Sequence, residues 1–252
     1  TASSDSYSYF LTSFEHSQSS KELGLSYTYE NIELLGSSLA KMHNATKTEE
    51  NQRGYFFDSV FAFGSYEEIM DTETYESLKE IKNFAEISDL FTSIRDSISI
   101  QTDNYTEGYS CLCHTNLNLS CILNRPGALK ICNFFQSFLI HPAWDLAFAS
   151  YNLELDSHPI YEKRFLDAYH AESFLKEGSY SYVYYKQLAY KIILYKLIAL
   201  YFHKLTVAHV SDSTNFLPLF IRYSYIREAI LDEFSEHIDL LDEMFAPFMK
   251  NI

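Results

Sequence analysis

The segments CHTNLNLSCIL (113–123), LKICNFF (129–135) and HPAWDLAF (141–148) decide the fold. The apolar runs around them, YSCLCH, SCIL and ALKICNFF, are short and are separated by NLNL and NRPG. Runs of that length bounded by turn formers read as strands. Asn124-Arg-Pro-Gly127 is a turn with a mechanism: proline fixes φ, and glycine tolerates positive φ. Residues 109–135 are therefore expected to form a small β-hairpin.

Outside this stretch the periodicity is helical. Ile32, Leu35, Leu39 and Met42 recur at three- and four-residue spacing, so Thr28 to His43 reads as a helix with Thr28 as its cap. Residues 45–55 read as a polar surface loop, and 66–83 and 84–100 as two further helices. Phe84, Ile87, Leu90, Phe91 and Ile94 form the stripe of the second. Residues 143–153, 158–171, 179–206 and 215–249 are helical in pattern, with 179–206 as the spine. Alternation from Tyr7 to about Phe14 suggests one more short strand. Seven glycines and five prolines in 252 residues fit a mainly helical chain.

Composition excludes several classes. With 19 Lys+Arg against 34 Asp+Glu, the net charge of −15 opposes docking on a phosphate backbone or an anionic membrane. Lys191, Lys196 and Lys204 interrupt the most apolar segment, Leu188 to Leu205, so no membrane span is expected. The N-terminus has no basic and apolar leader pattern, which points to a cytoplasmic location. Without export, disulfides are not expected, and the Asn-x-Ser/Thr triplets at Asn44, Asn104 and Asn118 carry no meaning. Cys111, Cys113, Cys121 and Cys132 then read as small buried apolar side chains. A zinc site helped by His114 is the competing reading, but C-x-C-H-x6-C-x10-C fits no common zinc pattern. No metal is expected.

The three segments together resemble the catalytic region of the aminoglycoside phosphotransferase and choline kinase-like family, whose members have a protein kinase-like fold. That family carries H-x-D-x-x-x-x-N on a loop, an Asp-led metal motif after a turn, and a Pro-x-x-Asp-Leu-Ala helix start. His114 falls on the family histidine, Asn116 on the catalytic aspartate, Cys121 on the metal-binding asparagine and Asn133 on the magnesium-holding aspartate. Pro142, Asp145, Leu146 and Ala147 match the helix start, and LLGSSLAKMH (34–43) resembles a family helix ending in Leu-His.

The resemblance implies a mainly α chain with a small β-hairpin, the C-terminal lobe of that fold. Residues 1–27 are then a hinge-like strand and linker, and 28–252 the helical lobe with its catalytic-loop-like hairpin at 109–135. No glycine-rich loop or strand lysine is present, so the N-lobe is absent from this chain, either upstream of Thr1 or missing from the protein. The family's Asp at 145 holds the catalytic loop's backbone, with the loop His114 packed beneath it; Asp145 and Pro142 are expected to be structural.

The departures bear on function. Phosphoryl transfer needs a carboxylate to take the hydroxyl proton and oxygen ligands for Mg²⁺. Asn116 is an amide that cannot accept a proton at neutral pH, Asn133 carries no charge, and the Cys121 thiol is a poor ligand for hard Mg²⁺. The expectation is a catalytically impaired relative with no cofactor, acting by binding a small-molecule ligand or a protein partner. The alternative is an active ATP- and Mg²⁺-dependent kinase of an aminoglycoside, choline or similar hydroxyl substrate.

Other candidates have plain readings. His141 is expected as an exposed cap, and His203, His209 and His237 as surface or satisfied core. Glu67-Glu68 and Asp232, Glu233, Glu236, Asp239, Asp242 and Glu243 are expected to be solvated helix faces, although a cationic-substrate pocket is the family's use of such residues. Tyr180, Tyr182, Tyr184 and Tyr185 are expected to pack in the core rather than cage a quaternary ammonium.

Overall fold

The computed structural model describes residues 28–62, 83–103, 108–125, 128–206 and 223–249. The expected strand at 7–14, the linker at 1–27, all but the last residue of the helix expected over 66–83 with Glu67-Glu68, Asn104, the turn residues Pro126 and Gly127, and His209 lie outside them, as does the side chain of His203.

Thr28 starts the first helix, α1 (Tyr29–Ala45): its Oγ1 accepts the Asn31 amide at 3.2 Å. Helix α2 (Arg53–Ala62) follows, beginning inside the stretch expected to be a loop. Helix α3 (Phe84–Asp103) carries the expected stripe, with Ile87, Leu90 and Ile94 buried. The β region comprises β1 (Cys111–Cys113), β2 (Ile122–Arg125), β3 (Ala128–Ile131) and β4 (Phe138–Ile140). The helices α4 (Ala143–Asn152), α5 (Pro159–Glu172), α6 (Tyr182–Thr206), α7 (Tyr223–Ile230) and α8 (Ile238–Met249) complete the order.

The β region is two ribbons, not one hairpin. β2 and β3 form the expected antiparallel hairpin, with Ile122 opposite Ile131 and Arg125 opposite Ala128. β1 pairs antiparallel with β4, Cys111 opposite Ile140 and Cys113 opposite Phe138. The loop before α2 is tied to this second ribbon. Thr48 bridges Ser110, the Gln52 amide donates to the Leu139 carbonyl at 2.6 Å, and the Gln52 side chain accepts the Leu139 amide at 3.0 Å.

Two cores meet at α4. Trp144 and Phe148 face the core built by α2, α3, α6, α7 and α8, and Leu146 and Ala149 face the core built by α1, α5 and the hairpin. Residues 143–151 are all buried as a result. Trp144 lies against Phe56, Phe57 and Tyr185 at 5.2–5.6 Å between ring centroids. Gly36 sets how closely α1 approaches α5: a Cβ there would strike the Phe165 carbonyl oxygen and lie 3.1 Å from the Tyr169 amide nitrogen.

Charge is organised between helices as well. Glu162 of α5 accepts from Lys186 Nζ at 2.6 Å, Tyr182 Oη at 2.8 Å and Ser150 Oγ at 2.5 Å, joining α4, α5 and α6. The acidic C-terminal residues need a correction. Glu233 pairs with the buried Lys191 and Asp242 accepts from Arg227 at 3.1 Å, so these two are not merely solvated. Among the described residues, no helix is long and apolar enough to cross a membrane.

Candidate functional site

The site is a loop hung from one carboxylate. Asp145, in the first turn of α4, is fully buried. Its Oδ2 accepts the His114 backbone amide at 2.7 Å and its Oδ1 accepts the Thr115 amide at 2.6 Å. Oδ2 also meets His43 Nε2 at 3.0 Å. Two amides and an imidazole compensate the buried charge, as such burial demands.

The grip holds the loop in an uncommon shape. Thr115 has φ 57° and Asn133 has φ 64°, the left-handed region. Asparagine tolerates this region, whereas a β-branched threonine enters it only under constraint. Thr115 is constrained at both ends, by Asp145 at its amide and by the Gln136 carbonyl, which its hydroxyl donates to at 2.6 Å.

His114 ties the loop to the hairpin. Its Nδ1 accepts the Asn116 amide at 3.3 Å, so Nε2 bears the proton and donates to the Cys132 carbonyl at 2.9 Å. Its ring lies 5.2 Å from that of Phe134. Asn118 caps the short helical turn Leu119–Cys121 by accepting the Ser120 amide at 2.9 Å.

Asn116, Cys121 and Asn133 come together here. Cys121 Sγ lies 3.8 Å from the Asn116 carbonyl and 3.9 Å from Asn133 Nδ2. Both asparagines are exposed on the loop surface, and Cys121 is buried between them. Burial works to raise the Cys121 thiol, but the adjacent His114 outweighs it and the pKa falls. Burial works to lower His114, and Cys121 with the Cys132 carbonyl raises it.

Two histidines differ from or exceed the sequence reading. His141 is buried, not exposed: it stacks on Tyr185 with centroids 5.0 Å apart, because α6 packs over the start of α4. Its Nδ1 still accepts the Ala143 amide at 3.3 Å, so capping survives. Burial and the nearby His43 push its pKa down to about 4. His43, the last residue of LLGSSLAKMH, received no role from sequence, yet it completes the Asp145 anchor. Burial opposes its charge, and the Asp145 and Cys113 hydrogen bonds outweigh that, raising it to about 9. Its Nδ1 faces Tyr169 Oη at 2.8 Å. The signal for His43 was present in the Leu-His helix ending, but the partner lies 102 residues away.

The tyrosines fit the packing reading. Tyr185 is fully buried, Tyr182 is held by Glu162, and Tyr180 Oη meets His170 Nε2 at 2.9 Å.

A helical lobe with a loop–hairpin–loop unit anchored on an α-helical aspartate is the C-terminal lobe of the kinase-like phosphotransferase fold. Solved structures agree. A spectinomycin phosphotransferase in complex with ADP and spectinomycin superposes with a TM-score of 0.51 at 15% identity, over 85% of this chain and 65% of that one. A choline/ethanolamine kinase family protein from Mesorhizobium loti gives 0.51 at 13% identity, over 93% and 71%. The Plasmodium vivax ethanolamine kinase gives 0.50 at 16%, over 84% and 63%. The chain thus spans just under two thirds of the spectinomycin enzyme. No family model matches the sequence, and no curated relative does.

The donor set at the loop does not fit Mg²⁺. The side chains of Asn116, Cys121 and Asn133 are two neutral amides and a thiol, whereas Mg²⁺ is usually held through at least one carboxylate. Among the described residues, the one cluster of three possible metal ligands is elsewhere, at His43, Cys111 and Cys113.

Proposed function

We propose that this chain is a catalytically impaired, pseudokinase-type phosphotransferase domain that acts by binding a small-molecule ligand or a protein partner. The observation that carries this reading is the meeting of Asn116 and Cys121, on the loop before the hairpin, with Asn133, on the loop after it: Cys121 Sγ lies 3.8 Å from the Asn116 backbone carbonyl and 3.9 Å from Asn133 Nδ2. The positions are adjacent, as a phosphoryl-transfer site needs, but they offer no base and no anionic ligand. Positioning alone leaves residual catalysis in some enzymes, yet here the charge neutralisation of the transferring phosphoryl group is missing too. The intact Asp145 anchor serves the shape of the loop, which a binding role also requires. The acidic surface disfavours nucleic acid and anionic membrane, and we place the domain in the cytoplasm.

An active ATP- and Mg²⁺-dependent kinase of an aminoglycoside, choline or another hydroxyl substrate is the competing reading. It draws support from the preserved loop anchor and from neighbours that are named kinases. Turnover separates the two. Incubation with ATP, Mg²⁺ and a panel of aminoglycosides, choline and ethanolamine is expected to give no transfer above the protein-free rate. Transfer that is lost in Asn116→Ala would overturn the impaired reading.

A further inference from the structure

Cys111 and Cys113 take no part in the loop, yet they are fully buried together with His43. Strand alternation explains the pairing: residues two apart on β1 face the same side, and that side meets the last turn of α1. One ligand atom from each of the three residues lies within 4.8 Å of the others.

We propose that His43, Cys111 and Cys113 form a buried zinc site. The Cys111 and Cys113 sulfurs are 3.7 Å apart. Two sulfurs on a tetrahedral ion at Zn–S distances of about 2.3 Å are separated by about 3.8 Å, so the strand already sets the spacing. Thiolate and imidazole are the donors Zn²⁺ prefers over Mg²⁺ or Ca²⁺. Two thiolates cancel the dication, which lets the complex sit in a fully desolvated position. On binding, each thiol loses its proton and forms a Zn–S bond, the protonated His43 ring gives up one proton so that a ring nitrogen can donate its lone pair, and all three protons leave to solvent.

The surroundings suit a ligated histidine. Asp145 Oδ2 holds His43 Nε2 at 3.0 Å, the carboxylate–histidine pairing that orients a metal-bound imidazole. The other nitrogen faces the Tyr169 hydroxyl at 2.8 Å, a neutral partner that a cation displaces or adopts as a fourth ligand. Besides its contacts with His43 and Cys111, Cys113 Sγ lies 3.4 Å from the Ile140 carbonyl and 3.5 Å from the His141 carbonyl. The His114 grouping weighed from sequence is not this site. Among the described residues, the ligand atoms that come together are those of His43, Cys111 and Cys113, and His114, Cys121 and Cys132 are not among them. Through Asp145, a bound ion would brace the backbone of residues 114 and 115.

The test is metal analysis of the full chain purified under reducing conditions, followed by Co²⁺ titration of the stripped protein. About one equivalent of zinc and a thiolate-to-cobalt charge-transfer band are expected. Both should vanish in Cys111→Ser/Cys113→Ser and persist in Cys121→Ser/Cys132→Ser. Absence of zinc and of the band in the wild-type chain overturns the proposal, whatever the variants do. So does a band lost in the Cys121/Cys132 pair and kept in the other. Should the first pair fail to fold, Cys111→Ala, which retains a small apolar side chain, takes its place with the same expected loss.

Discussion

Asp145 carries more of the loop's geometry than any other side chain described. It accepts two backbone amides and an imidazole from a fully buried position. Asp145→Ala leaves both amides and His43 without their acceptor, and we expect a loss of about 3–5 kcal/mol in thermal or urea unfolding. An unchanged midpoint would contradict the anchoring role. His141 gives a pH prediction. Its folded pKa of about 4 lies below the unfolded value of about 6.5, so the unfolded chain takes up the proton first. Its effect is absent above about pH 6.5, and stability falls as the pH drops from there toward about 4. His141→Phe should flatten the unfolding midpoint over that window; an equally steep profile in the variant would exclude His141 as its source. Sequence alone missed this burial because a histidine just before Pro142 at a helix start reads as an exposed cap, whereas Tyr180 and Tyr185, some forty residues downstream, pack against its ring.

Helix contacts explain which parts of the fold could be read from sequence. The stripe Ile32, Leu35, Leu39 and the Thr28 cap placed α1 because a single face carries its burial. The hairpin of β2 and β3 was legible because its turn chemistry is local. The pairing of β1 with β4 was not, since β4 is only three residues long and its partner lies 27 residues upstream. The stretch 215–249 reads as one helical pattern, whereas the described part breaks between α7 and α8 at residues 231–237. Gly36 is a test at this level: it permits the close approach of α1 to α5, and a methyl group there meets backbone that cannot rotate away. Gly36→Ala is expected to cost about 1–3 kcal/mol despite its better helix propensity. A gain in midpoint would mean that the two helices are less closely apposed. Glu162 ties α4, α5 and α6, and although burial works to raise its carboxyl, Lys186 and Ser150 hold it below the usual range. Its depressed pKa contributes stability above the unfolded carboxylate range and loses it as acid reaches the folded pKa. Glu162→Gln should therefore lower the midpoint at neutral pH and leave it little changed in strong acid, as denaturation scans across pH would record; equal losses at both ends would rule out the charge as the cause.

Across the chain, sequence and structure divide the site in two. The anchoring half was legible because Asp145 and His114 fall in motifs whose spacing survives. His43 was not legible as a partner, since nothing local links the end of α1 to the start of α4. The other half rests on the resemblance: Asn116, Cys121 and Asn133 meet where the two loops flanking the hairpin come together, and their side chains are two amides and a thiol. A lobe of this fold keeps its shape through the two cores and the Asp145 anchor, neither of which depends on the reaction. The most direct measurement is thermal unfolding of the chain with ATP, in the presence and absence of Mg²⁺. The account predicts the same midpoint in both. A Mg²⁺-dependent rise of several degrees would contradict it.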